Sequence, residues 1–243
     1  MTEIANWNYI YIEEVSSTND EAKKYCQIPG QKTVIRTNRQ TSGRGRRGRR
    51  WYNGKGNLYF SMALEFDLKD LGSLVMVSAL SLAQAIEELN DEVSPSLKWP
   101  NDVLINNSKL SGILLEKGEG NYMIVGVGVN VATKPKKKKL PYNITTLNEN
   151  NINCTAEEFM FAYLKKFDQN IDFLGRGGKR ALRSEWMKRV CGIGQLVTIR
   201  QEQHADRGIF AGIDENLTLL LNQRGKLKKV LVGDIFFGNG DIQ

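Results

Sequence analysis

Between Gly43 and Arg50 the chain reads GRGRRGRR, with arginine at positions 44, 46, 47, 49 and 50 and glycine between them. A guanidinium never loses its charge at physiological pH, and its planar fork grips phosphate or carboxylate oxygens in pairs. The letters satisfy G-x-G-x-x-G. A dinucleotide fold, however, needs a helix to open inside that motif, and here Trp51, Tyr52, Asn53, Gly54, Lys55 and Gly56 follow, which break helices. The segment must therefore present guanidinium groups and backbone N–H donors to an anion from a loop. Single-stranded RNA binding and a plain solvated loop are the alternatives. RNA-binding tracts of this kind recur along a chain, whereas this one occurs once, and solvation leaves the glycine alternation unexplained.

Three further segments carry chemistry. In Lys98-Trp99-Pro100-Asn101-Asp102 the proline ends a strand and turns the chain, exposing oxygen ligands suited to Mg²⁺ shared with nucleotide phosphates. Taken alone, the Asn-Asp pair reads first as a turn held by structural hydrogen bonds. Lys109 opens a strand, with Gly112 three positions on, so that a ligand can lie against the sheet; a surface lysine is the bland alternative. Val125-Gly126-Val127-Gly128-Val129-Asn130-Val131 alternates glycine with valine, which smooths one strand face for a ligand or for close packing.

Composition narrows the classes. Hydrophobic residues make up 41% and charged residues 25% of 243, an ordinary globular balance and length enough for one substantial domain plus a smaller one. The apolar stretch around Leu74 to Leu89 is broken by Ser78, Ser81, Gln84 and Glu87, which makes it an amphipathic helix and no membrane span. No signal peptide is evident in MTEIANWNYI. Cys26, Cys154 and Cys191 are odd in number and far apart, which disfavours a zinc site or disulfide framework and points to a reducing cytoplasm. The one histidine, His204, reads as a surface residue, so histidine-dependent catalysis has little to stand on. A net charge of +7 suits an anionic ligand or an acidic partner; the Lys136–Lys139 run between two prolines reads as a solvated loop.

The elements that must position these segments follow from periodicity and caps. Ser16 to Asn19 open a short helix through about Tyr25. Strands are expected at Thr33–Thr37, Asn57–Phe66, Ser96–Trp99, Leu110–Glu116 and Tyr122–Val131, with a long helix ending near Asn90. Thr155 and Glu158 have capping-box spacing for a helix to about Phe173, and a second helix covers Arg180–Arg189. From Gln195 the pattern changes to short, closely spaced strands, as in a five-stranded barrel. The expected architecture is α/β (α+β): a catalytic domain over residues 1–190, then a small all-β module over 191–243, with the boundary near Arg189–Gly194.

Taken in order, GRGRRGRRW, KWPND, KLSGILLE and VGVGVN resemble the successive signatures of biotin–protein ligases, of the biotin–[acetyl-CoA-carboxylase] ligase type. Ser17-Thr18-Asn19 and Gln40 fall where that family has its STN and Q-x-x-GRG motifs. The similarity is dense from Tyr9 to Val131 and returns weakly in RGIFAGIDENLTLLL and VGDIFFG. It implies a mixed sheet backed by helices, followed by an SH3-like barrel. It implies biotin contacts at Ser17, Thr18, Asn19, Gln40, Arg44, Gly45, Arg46, Lys109, Gly112 and Gly128. ATP or adenylate contacts are implied at Arg46, Arg49, Trp51, Lys98, Asn101, Asp102, Lys109 and Asn130, with Lys109 and Arg46 catalytic and Asp102 on Mg²⁺. Biotin and ATP would be the substrates, and a biotin carboxyl carrier domain of a biotin-dependent carboxylase the partner. A homodimer through an exposed sheet edge is modestly favoured. With no room before Tyr9 for a winged-helix domain, neither repression nor sequence-specific DNA binding is expected, and no membrane.

The chemistry agrees with this resemblance. A carboxylate is a poor electrophile and must first be coupled to AMP, a step that joins two anions and needs cations. The acceptor lysine attacks the mixed anhydride itself, so no enzyme nucleophile is required. The chain departs from the family at Asn216, where glycine is expected, and in the KPKKKKLP insert. A lipoate ligase carries a differently composed arginine–glycine motif. An RNA-binding module and, more remotely, a nicotinamide-dependent oxidoreductase are the other readings. The loop from Gln40 to Gly56 is expected to be mobile until an anion orders it, because clustered arginines repel.

Overall fold

The computed structural model describes residues 2–4, 6–26, 30–67, 70–135, 142–201, 204–216 and 218–237. The Lys136–Lys139 run lies outside them. Eight strands form one sheet: β1 (Thr2–Ile4), β2 (Trp7–Val15), β3 (Thr33–Gln40), β4 (Leu58–Glu65), β5 (Ser96–Lys98), β6 (Asp102–Ile105), β7 (Ser108–Lys117) and β8 (Tyr122–Val129). Their order is β1-β2-β3-β4-β8-β7-β6-β5. The sheet is mixed, as expected, because β2 and β3 run parallel while their neighbours run antiparallel.

Side chains alternate between the two faces of a strand, and the apolar residues divide accordingly. Val34, Met62 and Val125 join the main core, beneath the helices α2 (Leu71–Leu89) and α3 (Ala156–Gly175). Ile35, Ala63 and Ile124 pack on the other face, against Ala22 and Cys26 at the short helix α1 (Thr18–Lys23) and just beyond it. This alternation explains the glycine–valine run. Val125, Val127 and Val129 point into the core, while Gly126 and Gly128 leave the α1 face low.

α2 is long and apolar enough to span a membrane by length and composition alone, yet most of it is buried inside the protein. Its buried hydroxyls stay satisfied, Ser78 and Ser81 each donating to the carbonyl four residues back. Thr155 and Glu158 form the expected capping box of α3. α4 (Lys179–Arg189) follows, with Arg189 gripping both carboxylate oxygens of Glu87 on α2 at 2.8 and 2.9 Å.

The remaining strands are β9 (Leu196–Arg200), β10 (Ala205–Ile213), β11 (Leu219–Gln223), β12 (Lys226–Val230) and β13 (Asp234–Phe237). They make a second, antiparallel sheet in the order β12-β11-β10-β9-β13. Among the described residues β12 and β13 are its two edges, so the expected small all-β module is present as an open five-stranded sheet. At Asn216 the turn is organised by Asp214, whose Oδ1 accepts from Asn216 N and Thr218 N at 2.9 and 3.0 Å. The chain leading from α4 to the second sheet is tied to β5 where Cys191 N donates to the Leu97 carbonyl at 3.0 Å.

Candidate active site

A cleft of about 1030 Å³ opens over the low face of β7 and β8 and beneath β13. Gly112 and Gly128 are register partners on its floor. The indole of Trp51 lies on them: a Cβ at either glycine would collide with that ring. A Cβ at Gly126 would likewise strike Asn19. The glycines thus admit side chains from the α1 end and the arginine loop.

One end of the cleft is neutral and buried. Gln40 Oε1 accepts from Thr18 N at 2.9 Å and from Thr18 Oγ1 at 3.1 Å. Ser61 Oγ stands 2.7 Å from Thr18 Oγ1 and 2.6 Å from Asn19 Oδ1, with a single proton to give. Among the described residues, the buried donors Asn19 Nδ2 and Trp51 Nε1 find no acceptor. An unsatisfied buried donor is costly, and both residues line the cleft, so each has a hydrogen bond to offer a ligand.

The other end is cationic. Lys109 is pinned by its backbone, its N–H donating to Asn143 O at 2.8 Å and its carbonyl accepting from Thr145 N at 3.0 Å. Its ammonium lies 2.7 Å from Asp102 Oδ1, over the rings of Trp51 and Tyr142. Asp102 opens β6, opposite Lys98 in the β5–β6 hairpin, after a turn with a cis Trp99–Pro100 bond. Asn101 is committed structurally: its amide donates to Ile113 O at 2.5 Å and its Oδ1 accepts from Arg46 at 3.3 Å. Burial holds the Lys98 ammonium below its usual pKa, and the rings of Phe236 and Phe237 cover it.

The arginines divide in two. Arg44 forms paired contacts with Asp20 at 2.6 and 2.7 Å and with Glu116 at 2.9 Å. Its pKa is raised, chiefly by the Asp20 bonds and then by Glu116. Arg46, Arg47 and Arg49 instead converge on Asp234 of the second sheet, at 3.2, 3.7 and 2.9 Å. Burial lowers the Arg46 pKa. The loop is built rather than extended: Gly45 N donates to Arg49 O at 2.6 Å and Trp51 N to Gly43 O at 3.0 Å around a 3₁₀ turn at Arg46–Gly48. The mutual repulsion expected of the loop is thus offset by carboxylates within the protein.

Ser17, Thr18, Asn19, Gln40, Arg44, Gly45, Arg46, Arg49, Trp51, Lys98, Asn101, Asp102, Lys109, Gly112 and Gly128 all line this cleft. Asn130, just after β8, is buried but does not line the cleft; its backbone N–H donates to Leu110 O at 3.0 Å. Sequence reasoning missed Asp20 and Glu116, and it missed the whole contribution of β13. The only signal for the latter is the VGDIFFG segment, where an acid and two aromatics follow a glycine.

Known proteins that resemble this chain point to one family. The model of the biotin/lipoate A/B protein ligase family matches residues 11–130. The chain is 30% identical over 238 residues to the biotin–[acetyl-CoA-carboxylase] ligase of Paracoccus denitrificans, covering 93% of this chain and 99% of that one. It is 28% identical to the bifunctional ligase/repressor BirA of Bacillus subtilis, over 98% of this chain and 76% of that one. The Aquifex aeolicus biotin protein ligase, solved with biotin and ATP, superposes with a TM-score of 0.84 at 31% identity, over 95% and 98% of the two chains.

Proposed function

This chain belongs to the biotin/lipoate A/B protein ligase family, and we infer from that premise and the cleft's polarity that it is an ATP-dependent biotin–protein ligase. The carboxylate of biotin attacks the α-phosphorus of ATP, pyrophosphate leaves, and the acceptor's lysine amine then displaces AMP from the mixed anhydride.

The observation that carries the assignment of residues is the contrast between the two ends of the cleft. Ser17, Thr18, Asn19 and Gln40 form a buried, uncharged set of donors and acceptors that suits biotin's neutral ureido ring. Arg44 and Gly45 close that end, the former through its ion pairs. The glycine floor at Gly112 and Gly128 leaves space for the rest of the ligand, with Trp51 beside it. The carboxylate then points to Lys109, which offsets the repulsion between it and the nucleotide. Arg46, Arg49 and Lys98 take the phosphates, where fixed cations stabilise charge that develops in the transition state.

Mg²⁺ fits this donor set only in a restricted way. Among the described residues no group of three or more His, Cys, Asp or Glu could hold a metal, and Asn101 is spoken for. Asp102 would offer one carboxylate, whose Oδ1 is 2.7 Å from Lys109, to an ion carried mainly by substrate phosphates; so held, Mg²⁺ would supply charge neutralisation. Asn130 acts through its backbone, which ties the chain after β8 to Leu110 of β7 and to Leu147. We assign catalysis to residues 1–190 and treat 191–243 as a module that completes the site.

The acceptor on this reading is a biotin carboxyl carrier domain. Three free thiols support a reducing, cytoplasmic setting, and pairing of two copies through an exposed sheet edge extends the same proposal. Incubation with ATP, biotin and such a domain should add one biotin at its target lysine. Labelling that survives replacement of that lysine, or that takes lipoate in place of biotin, contradicts the assignment.

A further inference from the structure

Asp234, the first residue of β13, brings a carboxylate from the second sheet into the arginine loop. Its Oδ1 lies 3.2 Å from Arg46 Nη1, and its Oδ2 lies 2.9 Å from Arg49 Nη2 and 3.7 Å from Arg47 Nη1. Next to it, the Gly233 carbonyl accepts from Arg46 Nη2 at 3.1 Å. The other Nη1 proton of Arg46 goes to Asn101 Oδ1 at 3.3 Å. Protein acceptors thus occupy most of the fork that a phosphate would need. Both side chains are largely shielded, Asp234 being 15% exposed and Arg46 19%, so the pair is screened far less than a surface one.

Three guanidinium groups share this one carboxylate, leaving a local cationic excess. A polyphosphate arriving at the same arginines would meet Asp234 as a like charge, and both cannot hold the same fork. The chain just before Asp234 has little core packing to fix it, since Leu231 is 79% and Val232 60% exposed.

We propose that Asp234 is a resident counterion of the phosphate subsite, which competes with the nucleotide's polyphosphate for Arg46 and Arg49, so that nucleotide entry exchanges one anion for another. The second sheet thereby reads the occupancy of the catalytic cleft: its hold on the loop weakens as phosphate takes over the arginines. The proposal rests on the reading of this end of the cleft as a nucleotide site.

The test uses Asp234→Asn in the full chain, with inorganic pyrophosphate as probe. Removing the competing charge while keeping the shape should tighten pyrophosphate binding on the order of tenfold and lower KM for ATP by a similar factor. Equal or weaker binding overturns the proposal, because a carboxylate that only positions the arginines would be missed on removal. Hydrogen exchange on the wild-type chain gives an answer even if the variant fails to fold. Pyrophosphate should slow exchange across residues 43–51 and speed it across 231–237, whereas slowing in both segments contradicts an exchange of partners. If the wild-type chain releases pyrophosphate in a biotin-dependent way and these results still go against the proposal, the counterion is disproved and the ligase assignment stands.

Discussion

Arg44 and Arg46 stand two residues apart in one loop, yet they face different acids and do different work. Arg44 sits between Asp20 and Glu116, with Lys23 also 2.8 Å from Glu116, so charge there is close to balanced within the catalytic sheet and α1. Arg46, with Arg47 and Arg49, shares a single carboxylate from another sheet and keeps a cationic excess beside Lys109 and Lys98. The direction of the pKa shifts follows the same division, raised at Arg44 by its partners and lowered at Arg46 by burial. A run of arginines is therefore no unit of function. What each one can do depends on which acids the fold brings to it; on the function proposed above, the balanced end fixes the loop and the unbalanced end takes the anion.

This division can be sharpened or broken by substitution, and the largest effect belongs to the residue both ends serve. Lys109→Ala should slow biotinyl-adenylate formation by roughly 10²–10³, the usual cost of a lost charge-stabilising donor, and should also lower the melting temperature, because it leaves the shielded Asp102 carboxylate without its 2.7 Å partner. Unaltered turnover would make Lys109 a bystander. Arg46→Ala should cost about tenfold or more in kcat/KM for ATP while the protein melts nearly as the wild type does. Arg44→Ala should do the reverse. Its partners are partly exposed, so about 1 kcal/mol of stability is expected after screening, or about 2–4 °C in melting temperature, with KM for ATP almost unmoved. If the two variants behave alike, the comparison fails.

Acidification gives a smaller, independent check on the balanced end. Arg44 bonds lower the Asp20 pKa; at Glu116 burial pushes upward, but Arg44 and Lys23 outweigh it and the net shift is down. Folded-state values below the unfolded ones mean that this stabilisation is complete above the ordinary carboxylate range, about pH 4–4.5, and is lost as pH falls through the lowered values. The melting-temperature gap between wild type and Arg44→Ala should therefore shrink as pH falls below the ordinary carboxylate range. A gap independent of pH would place the stabilisation of Arg44 in packing.

The helices and central strands were legible in the sequence because their signals are local: the Thr155–Glu158 box, the serine-interrupted apolar face of α2, and the glycine–valine alternation of β8. β2 was not, since WNYIYIEEV is only partly buried and its parallel partner β3 lies across an intervening helix. β6 was missed because DVLI is four residues long. The hairpin signal there is Asn106-Asn107, both at positive φ (49° and 58°), as tight β-hairpin turns prefer. At the site, the motif residues could be named in advance because they are contiguous. Asp234, Asp20 and Glu116 could not, because only the fold makes them neighbours of the loop. The same lack bears on the loop's expected self-repulsion: acids that reach Arg44, Arg46, Arg47 and Arg49 come from distant parts of the chain, and no local pattern announces them.

The central claim, that this cleft couples biotin to AMP, is tested most directly by pyrophosphate release from the wild-type chain with Mg²⁺ and ATP, before any acceptor is added. Biotin should produce a burst of pyrophosphate close to one per active site, with the adenylate retained by the protein, and lipoate should produce none. Release that is indifferent to biotin, or that lipoate supports better, would contradict the account.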